Sequence, residues 1–252
     1  MREDISATAR ILNLMRGGTW DTLPDRDAVK AIDEAWPQAR RMLAKYDAFT
    51  SAVAVDAVGR GITTVVFGGA GYPHGTGPHA HAMADSRSAM FFYCDADPAV
   101  TGQRQRALGH GTRARAFNGS IGHAGAVVGF ARACRGGDGP WQVHWELGGG
   151  VADDDEGRRL AASYARLLPS GSELVIPVPD GDGARAFASL AGLRGHSPAD
   201  AEAWCSGAAE LNDGPGLTVA AVTDVRAWGR AELGQGLRAD CGRIVAVIAR
   251  KP

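Results

Sequence analysis

Lysine is scarce in this chain: Lys30, Lys45 and Lys251 are the only three among 252 residues. Arginine supplies the remaining positive charge, and the 27 basic side chains nearly cancel the 28 acidic ones. That balance leaves no broad basic field of the kind that holds phosphate backbones or anionic membrane surfaces, so nucleic acid is not expected as a partner. Long apolar runs are also missing. Nothing approaches the roughly 18 residues of a membrane helix, and residues 1–20 lack the apolar core and small-residue cleavage site of a secretory signal. A cytoplasmic protein with no membrane partner is the expectation. The four cysteines, Cys94, Cys134, Cys205 and Cys241, show no C-x-x-C spacing. This excludes a zinc knuckle, a redox motif or a compact disulfide framework, and they read as free thiols. There is no G-x-S-x-G, H-E-x-x-H or Walker loop either, which removes support for a serine hydrolase, a zincin or a nucleoside triphosphatase.

What is present is a chain that is 45% hydrophobic and 22% charged, long enough to bury a sizeable core. Residues 3–56 read as helical. A short helix carrying Ile11, Leu12 and Met15 closes at Gly17-Gly18, and a longer one follows with Val29, Ile32, Trp36, Ala39 and Leu43 on one face. From residue 60 short apolar runs alternate with helical patterns. The runs are 62–67, 89–94, 113–117, 141–147, 173–178, 217–222 and 243–249; helices are expected at 98–108, 154–168 and roughly 183–192. Such alternation specifies a doubly wound, mainly parallel seven-stranded α/β sheet covered on both faces, Rossmann-like, with the strands ending in a final pair. The expected organisation is an N-terminal helical cap, 1–58, on one α/β domain, 59–252. The Gly-rich stretches at 134–140 and 205–216 read as loops.

One strand runs into closely spaced glycines in VVFGGAGYPHG (65–75), ahead of a short helix near 79–85. Glycines there let a backbone approach a ligand and present amide N–H groups to it. A chain with 35 glycines also produces such a turn for purely structural reasons. The next strand ends in Tyr93-Cys94-Asp95-Ala96-Asp97-Pro98, and Asp95 falls where doubly wound folds place the acid that accepts ribose hydroxyls. Asp97 would cap the following helix. His144 and Glu146 alternate with Val143 and Trp145 on the fourth parallel strand, whose carboxyl end lines the crevice of such sheets. Both are candidate catalytic acid–base residues, and both equally suit a polar sheet face under a helix. Tyr72, Tyr93 and Trp20 suit a pocket wall or a core. His74, His79, His81 and Asp85 are irregularly spaced loop residues, and no metal site is assigned to them.

The order and wording of these segments resemble the actinobacterial class I S-adenosylmethionine-dependent methyltransferases formerly catalogued as a domain of unknown function. The likeness covers most of the chain. An N-terminal R-x-x-D-Y-x-L-G-G pattern is similar to Arg10 to Gly18, a D-I-G-T-G-L-P-T loop to Phe67 to His74, and V-Y-V-D-N-D-P to Phe92 to Pro98. A D-D-D helix with its P-G-S-x-L-V turn is similar to Asp153 to Val175, and a closing W-R-P region to Trp228 to Arg230.

The resemblance implies S-adenosylmethionine as cofactor, with amides from Gly69 and Gly71, a ribose contact from Asp95 and an adenine contact from Asn118. It implies methyl transfer to a small molecule, with a homodimer or a pathway partner as further options. The departures bear on the cofactor-binding end. Phe67 stands where the family's first strand ends in an acid, Asn118 replaces an Asp, Asn13-Leu14 replaces Asp-Tyr, and Gly148-Gly149-Gly150 replaces L-H-F. Replacing an anion by a large apolar ring removes a partner for a cationic cofactor. Two alternatives therefore stay open: a SAM-independent cyclisation, elimination or isomerisation on the same fold, and a non-catalytic partner subunit.

Overall fold

The computed structural model describes residues 3–75, 77–85, 88–109, 113–135, 139–147, 150–193, 195–208, 216–226, 228 and 242–252. Three helices come first: α1 (Glu3–Met15), α2 (Leu23–Ala35) and α3 (Ala39–Gly59). The single long helix expected from the apolar spacing around Trp36 is thus two. Pro37 disfavours helical backbone at the residue before it, and Trp36 is accordingly non-helical, with φ −143° and ψ 82°. Thr22 and Asp25 form a capping box at the start of α2.

The rest alternates: β1 (Thr64–Phe67), α4 (Pro78–Asp85), β2 (Met90–Asp95), α5 (Pro98–Leu108), β3 (Ala114–Asn118), α6 (Ala124–Arg135), β4 (Trp141–His144), α7 (Asp154–Leu167), β5 (Glu173–Asp180), α8 (Asp182–Leu190), α9 (Pro198–Gly207), β6 (Thr218–Asp224) and β7 (Arg243–Arg250). The seven strands lie in the order β3-β2-β1-β4-β5-β7-β6. β1 to β5 are mutually parallel, and β7 runs antiparallel to both β5 and β6. α6 and α9 add to the helices read from the sequence, and β4 is shorter than expected, so Glu146 lies beyond its end.

Both faces of the sheet are covered. On one, Val66, Phe92, Val143 and Ile176 pack with Val127 and Val128 of α6, Tyr164 of α7 and Trp204 of α9. On the other, Ile32, Met42 and Phe49 of the N-terminal helices, with Trp36 from the break between α2 and α3, share a core with Phe187, Val175 and Ile248. The helical cap therefore spans this face: α1, α2 and the start of α3 pack near β5 and β7, and Ala54, Ala57 and Val58 of α3 pack with Val65, Phe67, Phe91 and Tyr93 of β1 and β2. Asp97 caps α5 through Ala99 N (2.8 Å), and Asp153 caps α7 through Glu156 N (2.8 Å), as their sequence positions suggest. Cys94, Cys134 and Cys205 are free thiols; Cys241 and most of the 205–216 glycine stretch lie outside the described residues. Among the described residues no helix is long and apolar enough to cross a membrane.

Candidate active site

The strand order reverses direction between β1 and β4, and in open α/β sheets the crevice at the carboxyl ends of two such strands is where ligands bind. A cleft of about 890 Å³ opens there, within the usual size range of small-molecule sites. Its walls are the β1 loop, the ends of β2 and β4, Ser120 and Ile121 after β3, and faces of α1 and α3.

The loop after β1 is held from below by its neighbours. Gly68 N donates to His144 O (2.8 Å) and Ala70 N to Cys94 O (3.1 Å). Gly69 and Gly71 both have positive φ, 54° and 61°, a conformation that side chains other than hydrogen rarely tolerate. At Gly71 a side chain would meet nothing within 4 Å, so the backbone there faces open space. Arg104, buried on α5, donates to the carbonyls of Ala70, Gly71 (3.0 Å) and Tyr72 (3.0 Å), and its guanidinium lies 4.6 Å from the centre of the Tyr93 ring. Three carbonyls of one loop are thereby turned towards one cation at the cleft's wall. Nothing in the local sequence announced this: an arginine on a helix ordinarily reads as surface charge.

Asp95, buried at the end of β2, accepts from Gly71 N (2.9 Å) through one oxygen and from Asp97 N (2.9 Å) through the other. Burial raises its pKa despite those two amides. Asn118 is exposed at the end of β3 and stands outside the cleft's lining. Its amide Nδ2 donates to the carbonyls of Asp95 (3.1 Å) and Ala96 (3.0 Å), which leaves Oδ1 as an acceptor.

Phe67 is buried in a stack, with Tyr93 on one side (centroids 4.9 Å apart) and His144 on the other (4.8 Å). Gln142 Nε2 donates to Glu173 (3.0 Å), so Gln142 Oε1 is the atom that meets His144 Nε2 at 2.8 Å and the histidine must be the donor. Burial drives the His144 pKa down to about 3, which makes it a neutral wall of the cleft. Glu146, half-buried just past β4, lies against the glycine loop. A Cβ built at Gly69 would come within 2.2 Å of the Glu146 Cβ, and one built at Gly150 within 2.0 Å of its Oε1. Burial, with Asp95 adding to it, lifts its carboxyl pKa to about 7.

A further cluster closes the opposite wall. Asp47 of α3 receives Arg16 in a bidentate pair (2.9 and 2.8 Å) and lies 3.3 Å from His74 Nε2. Burial works against its charge, but His74 and Arg16 prevail and hold its pKa at about 2. These three come from distant parts of the chain, and only their meeting gives them a role. Of the loop histidines, His74 and His81 line the cleft, while His79 Nδ1 meets the Tyr93 hydroxyl (2.8 Å). Tyr72 is stacked on Trp20 (5.6 Å) and stays out of the lining. Among the described residues, the one group with metal-ligand spacing is Asp154, His196 and Asp200. All three already bond elsewhere: Asp154 with Trp204 Nε1, His196 with Val151 O and Asp200 with Ser197 N. Gly148, Gly149 and residues 229–230 of the closing motif lie outside the described residues; Trp228 packs edge-on to Phe49 (5.7 Å).

The cleft brings together a bare glycine loop at Gly69 and Gly71, the Asp95 carboxylate beside it and the Glu146 carboxylate, a set whose chemistry suits a ligand with hydroxyls and a positive charge such as S-adenosylmethionine. Solved structures agree in fold. A protein of the DUF574 family from Streptomyces avermitilis is 19% identical, with 97% of each chain covered and a TM-score of 0.79. A structure from Thermobifida fusca is 18% identical over 96% of this chain and 94% of its own, also with a TM-score of 0.79. Magnesium protoporphyrin IX methyltransferase from Synechocystis, solved with bound SAM, shares 11% identity over 96% and 90% of the two chains, with a TM-score of 0.54. No curated protein matches the chain in sequence. The family model for S-adenosyl methyltransferases matches residues 2–189, three quarters of the chain, and the protein therefore belongs to the S-adenosyl methyltransferase family.

Proposed function

We propose that the chain transfers the methyl group of S-adenosylmethionine to a small-molecule acceptor in the cleft above β1 and β4. Family membership carries the cofactor. The observation that supports its placement is the junction of Asp95 with Gly71: one carboxylate fixes the glycine loop while facing the cleft at the end of β2. In this reading the loop at Gly69 and Gly71 lies along the cofactor, Asp95 accepts from the ribose hydroxyls, and Asn118 Oδ1 accepts from the adenine amino group.

The acceptor then lies towards α1 and α3, where Leu12, Tyr46, Thr50, Leu147 and Leu193 offer a wall of mixed polarity. Catalysis is chiefly positional, with the chain holding the acceptor in line with the methyl and keeping water out. His144 contributes a neutral face. Glu146 is the ionisable group at the reacting end.

The test is calorimetric titration of the purified protein with S-adenosylmethionine and S-adenosylhomocysteine, repeated on Asp95→Ala. Binding in the micromolar range, about −8 kcal/mol, that the substitution abolishes is the expected result. Absence of binding to the unaltered protein at about millimolar ligand would overturn the reading.

A further inference from the structure

Four carboxylates line the cleft, and three have work within the fold. Asp47 is held by Arg16 and His74. Asp95 takes two backbone amides, and Glu156 takes the amide of Ala152. Glu146 accepts no hydrogen bond and makes no ion pair among the described residues. Nor does the cleft supply it with a cation. Arg16 is committed to Asp47, and Arg104 to the carbonyls of the glycine loop.

The chain nonetheless keeps space for this carboxylate. The backbone at Gly69 and at Gly150 comes so close that a methyl group at either position would collide with the Glu146 side chain. A half-buried, unpaired anion is costly in the free protein, and a ligand that brings a positive charge removes the cost. On the proposed function, which this inference rests on, the ligand has such a charge. The methionine end of the cofactor is internally balanced, ammonium against carboxylate, and the net positive charge belongs to the sulfonium. Methyl transfer consumes that charge, because S-adenosylhomocysteine is a neutral thioether.

We propose that Glu146 is the countercharge of the cofactor's sulfonium and sets a preference for S-adenosylmethionine over S-adenosylhomocysteine. β1 ends in the uncharged Phe67, and the anion comes from just past the end of β4, the neighbouring strand. The same contact favours loading over product retention, since the attraction disappears when the methyl leaves.

Three ligands separate charge from shape: S-adenosylmethionine, the neutral S-adenosylhomocysteine, and sinefungin, whose protonated amine takes the place of the transferable methyl and so carries a positive charge one atom from the sulfur's position. Their affinities are measured by calorimetry on the unaltered protein, on Glu146→Gln and on Glu146→Asp. Glu146→Gln is expected to weaken both cationic ligands by about tenfold or more, the scale of one charge-assisted contact, while S-adenosylhomocysteine changes by less than about threefold. Retained S-adenosylhomocysteine binding also shows that the variant folds. Glu146→Asp, which keeps the charge, is expected to keep the preference. An equal loss for all three ligands, or an unchanged preference in Glu146→Gln, overturns the inference and leaves the proposed function standing. Failure of all three to bind the unaltered protein removes both.

Discussion

Phe67 and His144 sit side by side on β1 and β4, ring centroids 4.8 Å apart, at the strand pair where the sheet reverses its winding. Tyr93 closes the stack on the far side of Phe67. The apolar ring at the mouth of the glycine loop is therefore part of the sheet's packing, and an acid placed there would have no partner. His144 is neutral and donates its Nε2 proton to Gln142, while the Tyr93 hydroxyl meets His79. Phe67→Asp is expected to cost about 3–5 kcal/mol of stability, the range for removing a large buried ring, with the burial of a carboxylate added to it. It should not improve cofactor affinity. Urea denaturation and calorimetry on the same sample check both statements.

Gly69 and Gly71 differ in a way that substitution can expose. Both have positive φ, which alone costs an alanine about 1–2 kcal/mol. At Gly71 the added methyl meets open space; at Gly69 it arrives 2.2 Å from the Glu146 Cβ. Gly71→Ala should therefore fold with only the conformational loss and still bind cofactor weakly, because its methyl projects into the cleft. Gly69→Ala should lose clearly more stability than Gly71→Ala. Comparison of the two urea midpoints decides it, and equal midpoints would contradict the stated geometry.

The parts of this site differed in how far the sequence revealed them. Asp95 and Asp97 were legible because a strand end, a helix start and a proline fix their positions locally. The glycine loop was legible for the same reason. The break between α2 and α3 was also written in the chain, at Pro37, but the continuous apolar spacing from Val29 to Leu43 masked it. α9 was harder: Ala201 is buried while Ala199 and Ala203 are exposed, so the contrast between its two sides is low. The states of His144 and Asp47 could not be read at all. They depend on burial and on Glu173, Arg16 and His74, which the fold brings in from separate segments.

Glu173 anchors the far end of the chain that reaches His144. It is buried, and it receives Arg60 (2.7 and 2.9 Å), Arg250 (2.6 and 3.1 Å) and Gln142 (3.0 Å). Burial opposes its charge, but the two arginines and the amide outweigh burial and hold its pKa below the ordinary 4.5. A carboxylate with a depressed folded pKa contributes stability that is present above its unfolded pKa and lost as pH falls through the folded one. Stability is therefore expected to decline below pH 4.5. Glu173→Gln should cost about 1–3 kcal/mol at neutral pH, less than a fully buried pair because both arginines are half in water. In that variant the decline below pH 4.5 should also be shallower, and a denaturation series across pH measures both effects.

Glu146 should behave in the opposite sense. Its pKa is raised from the ordinary 4.5 to about 7, so the unfolded chain gives up this proton more readily than the folded one. Below pH 4.5 both states hold the proton and the residue is neutral to stability. As pH climbs from there through 7, the folded protein must either keep an expensive proton or hold an unpaired carboxylate, and stability falls. Glu146→Gln removes the titration while preserving the shape between Gly69 and Gly150. The free variant is therefore expected to be more stable than the unaltered protein at pH 8 by about 1–3 kcal/mol, given partial exposure of the carboxylate, with the difference shrinking to near zero at pH 4.5. Thermal or urea denaturation at the two pH values measures it. A variant less stable at pH 8 would mean that the carboxylate has a stabilising partner in the free protein, and it would remove the reason for a cation to be drawn there. A variant more stable when free yet weaker in binding S-adenosylmethionine would show stability given up at one side chain for the sake of the ligand's charge.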